Sequence, residues 1–366
     1  MMAVNSWKAE PYRRLAQRLD ALPEGFPATE SGVELKLLTK LFTPEEAVLA
    51  AELTPTPETA RDIAARIGAD PRTTRQRLKE MARHGLIAVE RVDRRLGFKL
   101  LPFVVGIYEM QVGSIDAELA QLFESYYHEA FGRMIAVEPP VHRVLPIGES
   151  VRMDMDITPF ESVTTLVEEA RAWGVTDCIC RQQQALIGEP CEHPLDVCMV
   201  LSDTPNAFGD PVEPVQESTV RPLTKEVALA TLRRAADAGL VHTVSNNQEG
   251  LGYICNCCTC ACGILRGMAD LGLRNVVAPS TYVNRANTDR CIACGACVDR
   301  CPFGALTLEA TVHVDALRCV GCGVCVPVCP VDALHLEKRP EGELPSVPET
   351  MDDWRAKRAA NRDLPL

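Results

Sequence analysis

The segments CIACGACVDRCP at residues 291–302 and CVGCGVCVPVCP at residues 319–330 carry the same cysteine spacing twice. Each segment reads C-x2-C-x2-C-x3-C-P, and every cysteine of the first recurs 28 residues later, as Cys291 does in Cys319. Three thiolates at this spacing in one loop can point at three corners of one metal cluster, so the fourth corner needs a ligand from elsewhere. The proline after the fourth cysteine prevents the loop from continuing as a helix.

The spacing resembles that of bacterial two-cluster ferredoxins, in which the fourth cysteine of each run ligates the other cluster. The resemblance implies one 4Fe-4S cluster on Cys291, Cys294, Cys297 and Cys329, and a second on Cys319, Cys322, Cys325 and Cys301. A structural zinc site fits poorly, because it would hold two separated C-x2-C pairs around one ion. Short alternating runs at residues 305–308, 312–314 and 333–336 predict the two hairpins of that fold. We therefore expect an electron-transferring ferredoxin domain over residues 286–338.

Length and composition limit the number of domains and the kinds of function that the rest of the chain can have. The 366 residues suffice for two or three domains, and 17 cysteines favour metal binding over disulfides in a cytoplasmic protein. The net charge of −12 argues against nonspecific binding to nucleic acid or to an anionic membrane. Residues 1–10 lack the apolar core of a signal peptide, and the longest apolar stretch, residues 100–108, is interrupted by Pro102 and Gly106. We expect a cytoplasmic protein without a membrane span.

A locally basic segment, residues 61–95, holds ten Lys or Arg against five Asp or Glu. Turn and cap residues around it predict two helices, from Pro57 through Ile67 and from Pro71 to His84. Two strands follow, at residues 86–90 and 97–100. This order of elements resembles a winged helix-turn-helix over residues 31–102.

A winged helix can bind DNA or dock onto protein. DNA binding would place the start of the second helix in a major groove and the turn between the strands on phosphates. The side chains concerned are Arg72, Thr73, Thr74, Arg75 and Arg77 on the helix, with Arg94 and Arg95 on the turn. We favour docking, because the chain continues into an apolar segment, residues 101–108, that must be covered.

Nine further cysteines lie between this module and the ferredoxin domain. They are Cys178, Cys180, Cys191, Cys198, Cys255, Cys257, Cys258, Cys260 and Cys262. Such density exceeds what core packing uses, so we predict at least one more metal centre. A third 4Fe-4S cluster on Cys178, Cys180, Cys191 and Cys198, or on a mixture that includes Cys255 or Cys257, is preferred. A zinc site that uses His193 and an unusual cluster at the Cys257–Cys258 pair are the alternatives.

Regular elements are also expected around these cysteines. The pattern predicts helices at residues 115–133, 158–173 and 224–238, and strands at residues 144–147 and 240–244. Residues 339–366 read as an exposed tail, a candidate partner-binding segment, with one short helix at residues 352–360.

The motif series resembles a family of anaerobe-type ferredoxin-domain proteins known as 4Fe-4S binding proteins. The shared motifs are C-x-C-R at residues 178–181, G-x-x-C-x-H-P-x-x-x-C at residues 188–198, C-N-C-C-x-C-x-C at residues 255–262 and the two ferredoxin runs. The resemblance covers residues 30–338 and implies bound iron–sulfur clusters, but no substrate.

The predicted fold class is therefore α+β and multidomain. It comprises an N-terminal extension (1–30), a winged helix-turn-helix domain (31–112), a Cys-rich α/β middle domain (113–285), a dicluster ferredoxin fold (286–338) and the tail (339–366). We predict an electron-transfer protein that serves a partner oxidoreductase, because the sequence has no dinucleotide-binding or P-loop motif and no Ser-His-Asp elbow. A redox-responsive DNA-binding regulator and an enzyme with a special cluster at Cys255–Cys262 are the alternatives.

Overall fold

A computed structural model describes residues 9–93, 95–150, 159–209, 219–273 and 276–364. Within these residues the strands pair into a sheet of three strands, a sheet of seven, and two of two strands each. The mixture of helices and sheets agrees with the predicted α+β class.

The described chain begins with three helices. They are α1 (Glu10–Asp20), α2 (Val33–Leu41) and α3 (Pro44–Ala51). Helix α3 begins at a capping box in which Thr43 and Glu46 bond reciprocally to each other's backbone N–H groups. Leu15 and Leu37 are fully buried in the main apolar core, so the first two helices pack into the body of the protein.

The basic segment forms a compact helical pair with a three-stranded sheet. Its elements are β1 (Glu58–Thr59), α4 (Ala60–Ile67), α5 (Pro71–Arg83), β2 (Ala88–Val92) and β3 (Arg95–Lys99). The sheet order is β1-β3-β2, with antiparallel pairs throughout. The prediction that α4 begins at Pro57 was wrong: Thr59 caps the helix by accepting from the Asp62 N–H. Arg94, on the predicted turn, lies outside the described residues.

The apolar segment after this module is buried, as its composition requires. Phe103, Ile107 and Tyr108 lie in the main core. They pack against helix α6 (Ala117–Tyr126), which continues through a π-helical turn (Tyr127–Phe131) into α7 (Gly132–Ile135). The rings of Tyr108 and Phe123 stack with their centroids 3.8 Å apart. The helix predicted over residues 115–133 is thus present with a π-turn in it.

The seven-stranded sheet forms the centre of the molecule. Its strands are β4 (His142–Leu145), β5 (Ala172–Thr176), β6 (Cys198–Ser202), β7 (Arg221–Leu223), β8 (Val241–Ser245), β9 (Tyr253–Cys257) and β10 (Val277–Ala278). The order is β10-β4-β8-β9-β6-β5-β7, in which only the β10–β4 pair is parallel among the described strands. The helices of this region are α8 (Val163–Glu169), α9 (Ile179–Leu186), α10 (Lys225–Asp237) and α11 (Arg266–Asp270).

One predicted helix of this region was too long. The sequence suggested a helix over residues 158–173, but α8 ends at Glu169 and Trp173 lies in strand β5. Strand β5 pairs with both β6 and β7, so long-range hydrogen bonding determines the conformation of Trp173. The Trp173 Nε1–H still donates to the Val167 carbonyl of the helix, 2.8 Å away.

The ferredoxin segment contains α12 (Ala296–Arg300) and four short strands. The strands are β11 (Tyr282–Ala286), β12 (Leu306–Leu308), β13 (Val312–Val314) and β14 (Leu334–Lys338). Strands β12 and β13 form the predicted hairpin, whereas β14 pairs with β11. Strand β11 begins at Tyr282, ahead of the predicted boundary at residue 286.

The tail is not an exposed extension, contrary to the prediction. Helix α13 (Met351–Asn361) buries Trp354 and Arg358. The Arg358 guanidinium donates to the carbonyls of Pro23, Met134 and Pro139, and Trp354 Nε1 donates to the Pro140 carbonyl. Helix α13 therefore links the N-terminal region to the central sheet.

Across the described residues, every helix is too short or too polar to cross a membrane.

Candidate metal centres

The outer cavity, at the surface of the ferredoxin segment, is lined by three cysteines of the first run and the last cysteine of the second. These are Cys291, Cys294, Cys297 and Cys329, around about 330 Å³ of space. Leu334 and Val312 close its apolar side. Cys294 is exposed, and the neighbouring Ile292 is 61% exposed. The Ala333 N–H lies 3.1 Å from the Cys329 sulfur and can donate to it.

The inner cavity is lined by three cysteines of the second run and the last of the first. These are Cys319, Cys322, Cys325 and Cys301, around about 310 Å³ of space. Cys322 and Cys325 are buried, and burial raises the pKa of the Cys322 thiol to about 12. The Asn284 side chain donates to the Cys325 sulfur at 2.8 Å, and its backbone N–H lies 3.4 Å from the Cys319 sulfur. The crossed sets expected from the resemblance are the sets that line the two cavities.

A third, larger cavity in the central region, the thiol cavity, is lined by seven cysteines. They are Cys178, Cys180, Cys198, Cys255, Cys257, Cys258 and Cys262, around about 620 Å³ of space. Strand β9 supplies Cys255 and Cys257 from one face, because side chains two residues apart in a strand point the same way. Cys178 caps α9, and Cys180 lies in its first turn. Cys198 begins strand β6, which pairs with β9.

Polar side chains also line the thiol cavity. Burial raises the pKa of Glu109 to about 7 and lowers the pKa of His142 to about 4. The buried Tyr108 hydroxyl and His142 Nε2 have no hydrogen-bond partner among the described residues. Since buried polar atoms are normally paired, these two atoms are available to a group held in the cavity.

The two remaining central cysteines, Cys191 and Cys260, form the Cys3His group together with His193 and with Cys258, which also lines the thiol cavity. Their ligand atoms all lie within 4.8 Å of one another. Cys191 Sγ is 3.1 Å from both His193 Nδ1 and Cys260 Sγ. The structure thus separates Cys191 from Cys178, Cys180 and Cys198, with which the sequence had grouped it.

Arg181 lies between the thiol cavity and the Cys3His group. Its guanidinium is almost fully buried and donates to the Pro194 and Asn256 carbonyls, each at 2.9 Å. Its Nη2 lies 3.6 Å from the Cys258 sulfur. Desolvation by burial lowers the pKa of Arg181, but the nearby Cys178 and Cys258 raise it by more, so that the pKa lies above its usual range. The guanidinium therefore stays charged beside the sulfurs.

The 4Fe-4S dicluster domain family matches residues 290–333. The match covers both cysteine runs and supports a ferredoxin-type, iron–sulfur-binding domain at this place in the chain. No curated protein and no solved structure matches the chain significantly.

Sequence reasoning missed four side chains at these sites: Tyr108, Glu109, His142 and Asn284. The apolar run that ends at Tyr108 predicted burial of this segment but gave no indication of a metal-binding role. His142 and Asn284 belong to no motif, so no sequence signal singled them out. Their positions depend on long-range pairing, β4 with β8 and β11 with β14.

Proposed function

We propose that this protein relays single electrons between a partner oxidoreductase and a third iron–sulfur centre in its central region, through two 4Fe-4S clusters of the ferredoxin domain. The observation that carries the proposal is the succession of cysteine sites from surface to core. The outer cavity has an exposed cysteine, Cys294, whereas every cysteine of the inner cavity and of the thiol cavity is buried or half-buried.

The cysteine sets of the two ferredoxin cavities support two clusters. Each cavity brings together four thiols from both runs, the ligand number and crossing known for this module. Buried thiols with raised pKa values, such as Cys322, are neutral until a metal displaces their protons. Loading of these cavities is therefore coupled to proton release.

The inner cavity adjoins the central region directly. Cys322 packs in the same continuous apolar core as Cys257 and Cys262 of the thiol cavity. The Ile147 N–H, just after strand β4, donates to the Cys322 carbonyl at 3.0 Å. This contact supports a close approach of the inner cluster to a central centre, and electron transfer between buried centres requires such proximity.

The outer cavity offers the entry point for a partner. Ile292 and Leu308 are exposed apolar side chains at its mouth, beside the exposed Cys294. Exposed apolar side chains in a patch favour protein contact. We infer that the redox partner docks here, and that this takes place in the cytoplasm, where free cysteines persist.

A test uses the whole chain, purified without oxygen. We expect three centres that are reduced in separate steps in a potentiometric titration followed by electron paramagnetic resonance. Cys178→Ser should remove the central signal and leave both ferredoxin signals. Cys191→Ser is the matched control, because its side chain belongs to the Cys3His group. Two reducible centres in the native protein, unchanged by Cys178→Ser, would contradict the proposal.

A second candidate function is regulated DNA binding. We infer a winged helix from the arrangement of α4, α5 and the β1-β3-β2 sheet, and Arg72 and Arg75 are exposed at the start of α5. The affinity of such a domain for DNA would fall steeply with added salt, and replacing both Arg72 and Arg75 by alanine would weaken its preference for particular bases. Selection from a random DNA pool by the cluster-loaded protein separates this function from docking.

A further inference from the structure

Four ligand atoms of the central region lie unusually close together. His193 Nδ1 is 3.1 Å from Cys191 Sγ and 3.7 Å from Cys260 Sγ, and Cys258 Sγ is 3.7 Å from Cys191 Sγ. The residues come in two short pairs, Cys191-x-His193 on the loop before β6 and Cys258-x-Cys260 on the loop after β9. Two loops distant in sequence thus bring their ligand atoms together.

The two separations of 3.7 Å match those between ligand atoms around a single tetrahedral ion, and the 3.1 Å separation is a few tenths of an ångström shorter. Thiolates about 2.3 Å and an imidazole about 2.0 Å from one zinc ion lie roughly 3.4 to 3.8 Å from one another. A cubane instead places each thiolate on a different iron, which keeps the sulfurs further apart. The ferredoxin cysteines provide a comparison within the same protein. Among the described residues, only the Cys3His group has all its ligand atoms within 4.8 Å of one another, and the eight ferredoxin cysteines form no such set.

We infer that Cys191, His193, Cys258 and Cys260 bind one structural zinc ion, in addition to the iron–sulfur centres. Four protein ligands complete the coordination of zinc, which marks a structural rather than a catalytic site. Cys and His together are ligands that zinc prefers. A zinc ion with three thiolates carries one net negative charge, which the buried Arg181 beside Cys258 offsets.

The ion also divides the central cysteines between two metals. Cys258 lines both the thiol cavity and the Cys3His group, and zinc removes it from the iron ligands. Six thiols then remain for the central iron–sulfur centre. They are Cys178, Cys180, Cys198, Cys255, Cys257 and Cys262. The zinc would hold the loop at residues 188–197 against the loop that follows β9.

The first test is metal analysis of the full-length protein purified without oxygen. We expect one zinc per chain beside the iron. Cys260→Ser, at the most exposed ligand, should lose the zinc and keep the iron, whereas Cys198→Ser should lose iron and keep the zinc. A chain without stoichiometric zinc, or with a single non-sulfide iron at this site, would overturn the inference.

Cobalt substitution tests the ligand set without relying on the stability of a variant. Co²⁺ exchanged into the full chain should give the intense visible bands of tetrahedral thiolate coordination. In His193→Cys the bands should persist and shift to lower energy, because a fourth thiolate replaces the imidazole. In Glu192→Gln, a neighbouring side chain outside the ligand set, they should be unchanged. Bands that do not respond to His193→Cys would refute the assignment of that ligand.

Discussion

The two halves of the ferredoxin module have the same cysteine spacing but opposite surroundings. Ile292 in the first run is 61% exposed, whereas Val320, the residue 28 positions later, is 8% exposed. Cys294 is exposed, whereas its counterpart Cys322 is buried. Ligand spacing therefore specifies what each half binds, while the rest of the chain determines how far each half is shielded from water.

One of the sequence differences between the two runs reflects these surroundings. Ala293 and Gly321 occupy equivalent positions, and both have positive φ, 54° and 70°. A Cβ at Gly321 would lie 2.0 Å from the Tyr282 carbonyl oxygen and 2.2 Å from Ser280 Oγ. The buried run thus needs glycine for close backbone approach, whereas the exposed run accepts the methyl group of alanine.

The largest effect should come from removing the fourth cysteine of each run. Because each cavity takes its fourth cysteine from the other run, Cys329→Ser should abolish the signal of the proposed outer cluster, and Cys301→Ser that of the proposed inner cluster. Each variant should lose one cluster's worth of iron, read by metal analysis and electron paramagnetic resonance. If Cys329→Ser affected the cluster of Cys319, Cys322 and Cys325 instead, the crossed ligation would be wrong.

A matched glycine pair separates packing from backbone strain. Gly295 and Gly323 have φ of 80° and 77°, so alanine costs a similar strain of about 1–2 kcal/mol at either site. At Gly323 the new Cβ would also lie 2.6 Å from Ser150 Cβ, which adds about 1–3 kcal/mol of overpacking. We expect Gly323→Ala to lower the thermal midpoint of the anaerobic protein clearly more than Gly295→Ala. Equal losses would show that the inner run is not packed against the central region.

Chelation should distinguish the clusters by rate. An iron chelator reaches the outer cluster at Cys294 directly, whereas the inner cluster needs local opening of the core. We expect the outer signal to disappear first, several-fold faster, in a time course followed by electron paramagnetic resonance. Simultaneous loss of both signals would indicate that one unfolding event exposes both clusters.

The smallest effect concerns the potential of the inner cluster. The Asn284 side chain donates to the Cys325 sulfur at 2.8 Å, and hydrogen bonds to cluster sulfurs stabilise the more negative, reduced state. Asn284→Leu should lower the inner potential by a few tens of millivolts and leave the outer potential unchanged. Thr307→Ala, on the exposed strand β12, is the control that should shift neither potential.

The cysteines that line the two ferredoxin cavities could be predicted because the pattern that marks them is local in sequence. Cysteine spacing within one loop, with a proline after the fourth cysteine, indicates the ligand set without knowledge of the rest of the fold. The helices α4 and α5 were predictable for the same reason, from Gly68 and from the cap residue Asp70. Only the start of α4 was misplaced, because Thr59 and Pro57 are competing start signals.

The partition of the central cysteines could not be predicted. Cys191 is nearer in sequence to Cys198 than to Cys258, yet it lies 3.7 Å from the Cys258 sulfur. That contact depends on strand β9 pairing between β6 and β8, which joins segments far apart in the chain. The burial of Arg358 depends likewise on carbonyls more than two hundred residues away, such as that of Met134.

Helix α13 also imposes an order in time. Every cysteine precedes it in the chain, so all of them are synthesised before Arg358, whose guanidinium binds the carbonyls of Pro23, Met134 and Pro139. The hydrogen bonds that Arg358 adds between the N-terminal region and the segment before the central sheet therefore form only after the cysteines have been made. Synthesis thus includes a short interval in which every cysteine has been made but the Arg358 hydrogen bonds are still absent.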